Sequence, residues 1–465
     1  MNIKLALLVA NRGFFPSSVI DSAREDMREA ARRCNVELIE LPEERTHFGA
    51  VETTAEGMIY ADFLNEHRGE YDGIIVCLPN FGDENGIKAA IRDAGVPMLL
   101  QAYPDEIGKM DFANRRDAFC GRLGLGSVLK QMDYKYTGFA PFTKHPLSEE
   151  FHEELSDFIK ICRVVKGMKR ARIGCFGART TAFKSVRGDE SAMEKVGIDL
   201  ETIDLSALFY KVRALKDDDT RVQEWIGRLE NVMCFDGAAD YARPRLGKLG
   251  AAIEQYITDM KLDAFAIRCW GEVQDEMKIA PCSLLGVFNQ LGIPGACETD
   301  VTNAIVMLAL TLASDSPAGC LDINNNYGDD PDKCILFHCG PLPIDLMGKP
   351  GRIEEHKMFT KTQGENCSWG LNVGRIKPGK VTIAGCRTEN GEVQYYVENA
   401  EITEDAVESE FFGTPGVMKL EGLQDKVIHM CEAGFRHHAI IVSGWHARAV
   451  AEALSKYLGY RRIVL

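Results

Sequence analysis

At 465 residues and a net charge of −15, the chain is too long for one small module and too acidic for nonspecific attraction to nucleic acid or anionic membranes. With 45% hydrophobic and 26% charged residues, it has the composition of a globular protein, which excludes disordered and fibrous classes. Its 15 cysteines are scattered from Cys34 to Cys431 without a CxxC pair. That pattern predicts reduced thiols in a cytoplasmic protein and offers no structural zinc site.

In chain order, the apolar run from Leu5 to Ala10 is too short for a signal-peptide core and reads as a first buried strand. No uninterrupted apolar stretch reaches the roughly 18 residues of a membrane span. A helix is expected from Ser17 to Cys34, then the strand VELIEL, a helix around Thr53 to Glu66, the strand GIIVCL, a helix from Ile87 to Ala94 and the strand PMLLQAY. Apolar strands alternating with helices imply a parallel sheet covered on both faces, with ligands gathered at the carboxyl ends of its strands. Asn11-Arg12-Gly13 and Pro79 to Glu84 fall at such ends, and neither contains GxGxxG, so no dinucleotide site is indicated.

The basic stretch VKGMKRAR, read as a solvated linker face, precedes IGCFGA, and the strand–helix rhythm starts again near residue 170. After an apolar helix from Val301 to Ala313 the texture changes to short strands punctuated by Gly and Pro, closed by a helix from Ala447 to Leu458. The fold expected is α/β: two Rossmann-like parallel-sheet domains, 1–168 and 169–318, followed by a β-rich, barrel-like domain, 319–465. No repeat of solenoid length interrupts this order.

Three segments carry candidate chemistry. In IPGACETDVTNAIVMLAL, Glu298 and Asp300 stand two apart at the mouth of a strand, before a helix that Asp300 or Thr302 can cap. Paired carboxylates there suit a hard divalent cation or proton exchange with a substrate, while the plain alternative is a helix cap beside a surface glutamate. In GFRHHAIIVSGWHARAV, His437 and His438 open an apolar strand, and neighbours on a strand face opposite ways, so only one is expected to point into a given site. In DAFAIRCWGEVQDEMKIAPC, Glu272 follows a strand that ends at the same sheet edge as Asp300.

Together these segments resemble the L-fucose isomerase family of ketol isomerases and, more distantly, L-arabinose isomerase. The likeness is clearest in ACETDVTNAIVML and HAIIVSG. The resemblance implies metal-binding roles for Asp300 and for His438, favoured over His437 because the apolar run follows it directly. It also implies a second metal-binding glutamate from an upstream helix. The helix APCSLLGVFNQ has Pro281 or Cys282 where that glutamate would fall, which leaves Glu272 as the best substitute and Glu298 next. The implied protein is an aldose–ketose isomerase dependent on Mn²⁺, working through an ene-diol with Asp300 and Glu272 or Glu298 moving the proton. Its substrate would be a monosaccharide, with fucose, arabinose, a deoxy sugar and a sulfonated hexose all open. Arg12, His338 and Trp445 are candidates for substrate contact. The family likeness further implies a homo-oligomer, trimer or hexamer, with sites between subunits. The alternative is a sugar-binding module or sugar-responsive regulator without turnover.

Overall fold

In the computed structural model, which describes residues 1–409 and 411–465, the chain divides into two compact units, Met1–Lys166 and Gly167–Leu465. The first is built on four parallel strands, β1 (Lys4–Val9), β2 (Glu37–Glu40), β3 (Gly73–Leu78) and β4 (Met98–Ala102), in the order β2-β1-β3-β4. Alternate residues serve opposite faces, as the two-residue period of a strand requires. Leu5, Leu7 and Val9 pack against the helices Ile20–Arg33 and Glu149–Met168. Ala6 and Leu8 meet side chains from the helices Thr54–Glu66, Glu84–Ile91 and Ala118–Gln131. Both faces are therefore apolar, which is why the strands read as unbroken hydrophobic runs.

Helix starts are set by caps. Thr53 forms a capping box with Glu56, and Asp83 accepts from the Gly86 amide, so the third helix begins at Glu84, three residues earlier than its apolar pattern suggests. Gly57 lets those two helices touch, since a Cβ there would lie 2.2 Å from the Gly86 carbonyl oxygen. Beneath the sheet, Lys144 and Glu154 form an ion pair of 2.7 Å with both side chains 2% exposed.

The second unit contains two sheets of different character. Strands β5 (Ala171–Phe176), β6 (Ile198–Ile203), β7 (Met233–Cys234), β8 (Ala264–Ile267) and β9 (Gly295–Ala296) come first in the chain. All but β7 form a second parallel sheet, ordered β6-β5-β8-β9. Then follow β10 (Gly319–Asn326), β11 (Lys333–Phe337), β12 (Gly351–Glu355), β13 (Trp369–Val373), β14 (Gly379–Glu389), β15 (Glu392–Ile402), β16 (Gly416–Lys419), β17 (His438–Ser443) and β18 (Arg461–Arg462). Six of these form an antiparallel ring, β14-β17-β10-β11-β16-β15, closed by the long β14–β15 hairpin. The expected barrel is thus a closed one, and closure removes exposed sheet edges. β12 and β13 leave it to make a small side sheet with β7, and β18 lies parallel to β15.

The helix Val301–Ser314 joins the two sheets, packing on β5, β8 and β9 and also on β14 and β17. Nearly all of its side chains are buried, which explains its apolar sequence. The last helix is shorter than expected, Ala447–Ala451, and continues as a π-helical stretch, Glu452–Tyr457. Among the described residues, no helix is long and apolar enough to cross a membrane.

Candidate active site

The site is a seam between the carboxyl end of the second parallel sheet and the outer wall of the barrel. After β9, Glu298 and Thr299 both adopt left-handed backbone, φ 62° and 56°. Such residues cost of order 1–3 kcal/mol each when they are not glycine. The double reversal is held by the Thr299 amide donating to the Ile267 carbonyl at 3.1 Å and the Asp300 amide to the Cys297 carbonyl at 3.0 Å. It turns Asp300 back to cap the helix Val301–Ser314, accepting from the Asn303 amide at 3.1 Å.

The barrel supplies the facing residues. Leu321 on β10 and Ala439 and Ile441 on β17 belong to the apolar cluster shared by all six ring strands. Asp322 and His438, which are cross-strand partners, alternate with them and so face outward, toward the helix that packs on β17. Asp322 Oδ1 lies 3.7 Å from His438 Nε2, 3.8 Å from His437 Nε2 and 4.0 Å from His338 Nε2. Glu298 Oε2 lies 3.3 Å from His438 Nε2. Two groups with ligand-compatible spacing result, Glu298–His437–His438 and Asp322–His338–His438.

Hydrogen bonds decide which histidine offers what. His438 Nδ1 lies 2.7 Å from an oxygen of Asp300. A carboxylate held ionised only accepts, so Nδ1 carries a proton, and in the neutral form of the ring Nε2 presents its lone pair. In His338 the reverse holds: the Cys339 amide donates to Nδ1 at 2.8 Å, which puts the ring proton on Nε2 and makes that atom a donor toward the seam. Asp322 Oδ1, His338 Nε2 and His438 Nε2 are buried with no hydrogen-bond partner among the described residues. Groups so buried ordinarily find partners, and two carboxylates with an imidazole lone pair are a donor set for a hard or borderline divalent cation such as Mn²⁺.

Electrostatics follow from this crowding. Burial opposes charge on His438, but the hydrogen bond to Asp300, nearby Glu298 and the charge of Asp322 prevail and push it up to about 10. Burial would raise Asp300, yet the Arg436 guanidinium and His438 hold it well below the usual carboxylate range. Glu298 is likewise lowered against the effect of burial, through His438 and then His338 and His437.

Of the residues expected from sequence, the structure brings Glu298, His438 and His338 together at the seam, sets Asp300 behind His438, and places Glu272 and Trp445 away from it. Asp300 was expected to bind the metal and move the proton. Both its oxygens are engaged by Arg436, Thr302, Asn303 and His438. Glu272 opens the short helix Glu272–Met277, pairs with Arg268 at 2.6 Å and is 44% exposed; it belongs to neither ligand group among the described residues. Trp445 lies beyond the opposite end of β17 from His438, about 20 Å away at ~3.3 Å per residue. Its indole N–H donates to the Ala400 carbonyl, and Lys380 sits over its ring. Arg12 lies in the first unit, its guanidinium 4.2 Å from the centre of the Phe81 ring.

Both histidines of the pair reach the seam, contrary to the expectation that one would. His437 precedes β17 and escapes strict alternation, although it is 52% exposed. Sequence reasoning missed Asp322 and Arg436. The available signals were a lone acid within the strand GCLDINNN and an arginine immediately before the histidine pair.

Residues 6–169 match the fucose/sulfoquinovose isomerase N-terminal domain. Similar curated proteins include the sulfoquinovose isomerases of Priestia aryabhattai and Priestia megaterium, each 24% identical over 335 residues, 71% of this chain and 72% of theirs. That of Alkalicoccus urumqiensis is 22% identical over 320 residues, 68% of this chain and 70% of its own. The family match lies in the N-terminal third of the chain and, with these relatives, supports a likeness to L-fucose isomerase-like proteins.

Proposed function

We propose that this chain is an L-fucose isomerase-like protein and a cation-dependent aldose–ketose isomerase acting on a sulfonated monosaccharide. The observation that carries this reading is the meeting of Asp322 Oδ1, His338 Nε2 and His438 Nε2, buried and without partners among the described residues, beside Glu298. Glu298, Asp322 and the Nε2 lone pair of His438 would hold the cation. When bound, it would supply Lewis acidity to the oxygens of C1 and C2.

The remaining work falls to side chains. Isomerisation moves one proton from C2 to C1 and another from the C2 hydroxyl to the C1 oxygen through an ene-diol, so it needs a base, an acid and a donor for the developing oxyanion. A Glu298 oxygen, ionised in this setting, takes the proton from C2 and returns it to C1. His338 Nε2–H donates to the sugar oxygen, which gives that residue the substrate contact expected of it. His437, held below its ordinary value by burial and by His438, is neutral at pH 7 and lines the open side. The sulfonated substrate is suggested by the names of the relatives.

Assembly belongs to the same proposal. Ile107, Met110, Phe112, Phe119 and Leu123 of the first unit are all about half exposed or more, an apolar concentration suited to contact with another subunit. We keep the cytoplasm as the compartment, and 1–168, 169–318 and 319–465 as the domains. The test is to strip cations from the chain, restore Mn²⁺ and offer a 6-sulfo-aldohexose beside fucose and arabinose in D₂O. Ketose formation with solvent deuterium entering the sugar is expected. Tight sugar binding without exchange would refute catalysis and leave a sugar-binding module, and exchange that survives chelation would refute the cation.

A further inference from the structure

We infer that Asp300 and Arg436 form a buried positioning pair that fixes which nitrogen His438 presents to the seam. The inference rests on the cation reading above and assigns to Asp300 a role other than ligand.

The geometry is over-determined. Arg436 donates through Nε to Asp300 Oδ2 at 2.5 Å and through Nη2 to Oδ1, and Nη2 also reaches Thr302 Oγ1 at 2.5 Å. The Asn303 side-chain amide donates to the same Oδ2 at 2.9 Å, and its own oxygen accepts from the Cys386 amide of β14 at 3.0 Å. One carboxylate thus ties the helix N-terminus and the barrel wall to the segment entering β17. It also meets the ring of His438, through Nδ1 at 2.7 Å. With that nitrogen committed as a donor, Nε2 is the atom that faces Glu298 and Asp322 and that presents a lone pair there once its proton is displaced.

A cap alone does not account for the pair. Ser, Thr or Asn caps a helix about as well as Asp, and burying a carboxylate and a guanidinium together carries a desolvation cost that a neutral cap avoids. Asp300 is 0% and Arg436 3% exposed at the side chain. What the charged pair adds is a carboxylate that cannot donate, and so cannot let the imidazole flip to the other tautomer. A carboxylate behind a metal-binding histidine acts in this way, and its loss typically weakens the site about 10- to 100-fold.

The experiment uses the full chain stripped of cations, with free Mn²⁺ followed by electron paramagnetic resonance and folding by thermal unfolding. Asp300→Asn combined with Arg436→Gln removes both charges at once, so neither is stranded, and the new amide can donate to Nδ1. We expect near-native unfolding with Mn²⁺ affinity about 10- to 100-fold weaker and turnover largely rescued at saturating Mn²⁺. Arg436→Lys keeps the charge but loses the fork and should give a smaller loss of the same kind. A folded double variant that binds Mn²⁺ as tightly as the parent overturns the inference. Should the double variant fail to fold, unaltered affinity in Arg436→Lys overturns it equally. A parent chain that takes up no Mn²⁺ would remove the cation reading itself, a result distinct from either.

Discussion

Protons and the cation should compete for His438. In the chain stripped of cations its imidazole is pushed up to about 10, because the Asp300 hydrogen bond, Glu298 and Asp322 outweigh the burial that disfavours its charge. An ordinary imidazole titrates near 6.5, and with the value raised so far above it His438 is mostly protonated at pH 7.5. A cation must displace that proton, so its apparent affinity at this pH is weaker than that of the deprotonated site. Since the folded value is raised, the proton-bound form dominates below it and affinity rises with pH. Between pH 6.5 and 8.0 the rise should be about 30-fold. By the same linkage, protonated His438 stabilises the cation-free fold fully below about 6.5, and the contribution is lost as pH rises through about 10. Mn²⁺ titrations at pH 6.5, 7.25 and 8.0, with calorimetry in two buffers of different ionisation enthalpy, should return about one proton released per cation. An affinity flat across that range with no proton release would refute the reasoning.

Asp322→Asn and Glu298→Gln should each lose bound Mn²⁺ and at least about 10²-fold in turnover, and their effects should not multiply, because either change already breaks the site. Metal content by elemental analysis and steady-state kinetics check both, and independent, multiplying losses would deny a shared cation. Glu272→Gln should keep turnover within about twofold, as a half-exposed partner of Arg268 should; a metal-free or inactive variant would restore it to the site. Lys144→Met should destabilise the first unit by about 3–5 kcal/mol by stranding Glu154, read as a fall in the denaturation midpoint. Phe112→Glu with Leu123→Glu should lower the molar mass in light scattering if the exposed apolar residues of the first unit meet another subunit.

Much of the architecture was legible because burial writes itself into residue order. GIIVCL is buried at every position and flanked by helices, so a two-sided parallel sheet followed from the sequence. The late strands were legible as strands, but their closure was not, since pairing of β14 with both β15 and β17 is a register property that no single segment carries. The Glu-x-Asp turn shows the same limit at the site. Two acids at a strand end are equivalent on paper. They diverge because Glu298 and Thr299 adopt positive φ without being glycine, which sends one acid to the seam and the other to the helix cap. Asp322 was hidden for a related reason: the residue that gives it meaning, His438, is its neighbour only across the β10–β17 pairing.

That pairing also has a consequence during synthesis. Asp322 and His438 stand opposite each other in the barrel yet are separated by a little over a hundred residues of chain. At about 5–20 residues per second, a ribosome needs about 6–20 s to make the intervening segment. For that interval the nascent polypeptide already displays Glu298 and Asp322 but lacks the imidazole and its Asp300 contact. At the proposed cation site, loading would therefore be a late event that waits for the ring of strands to close.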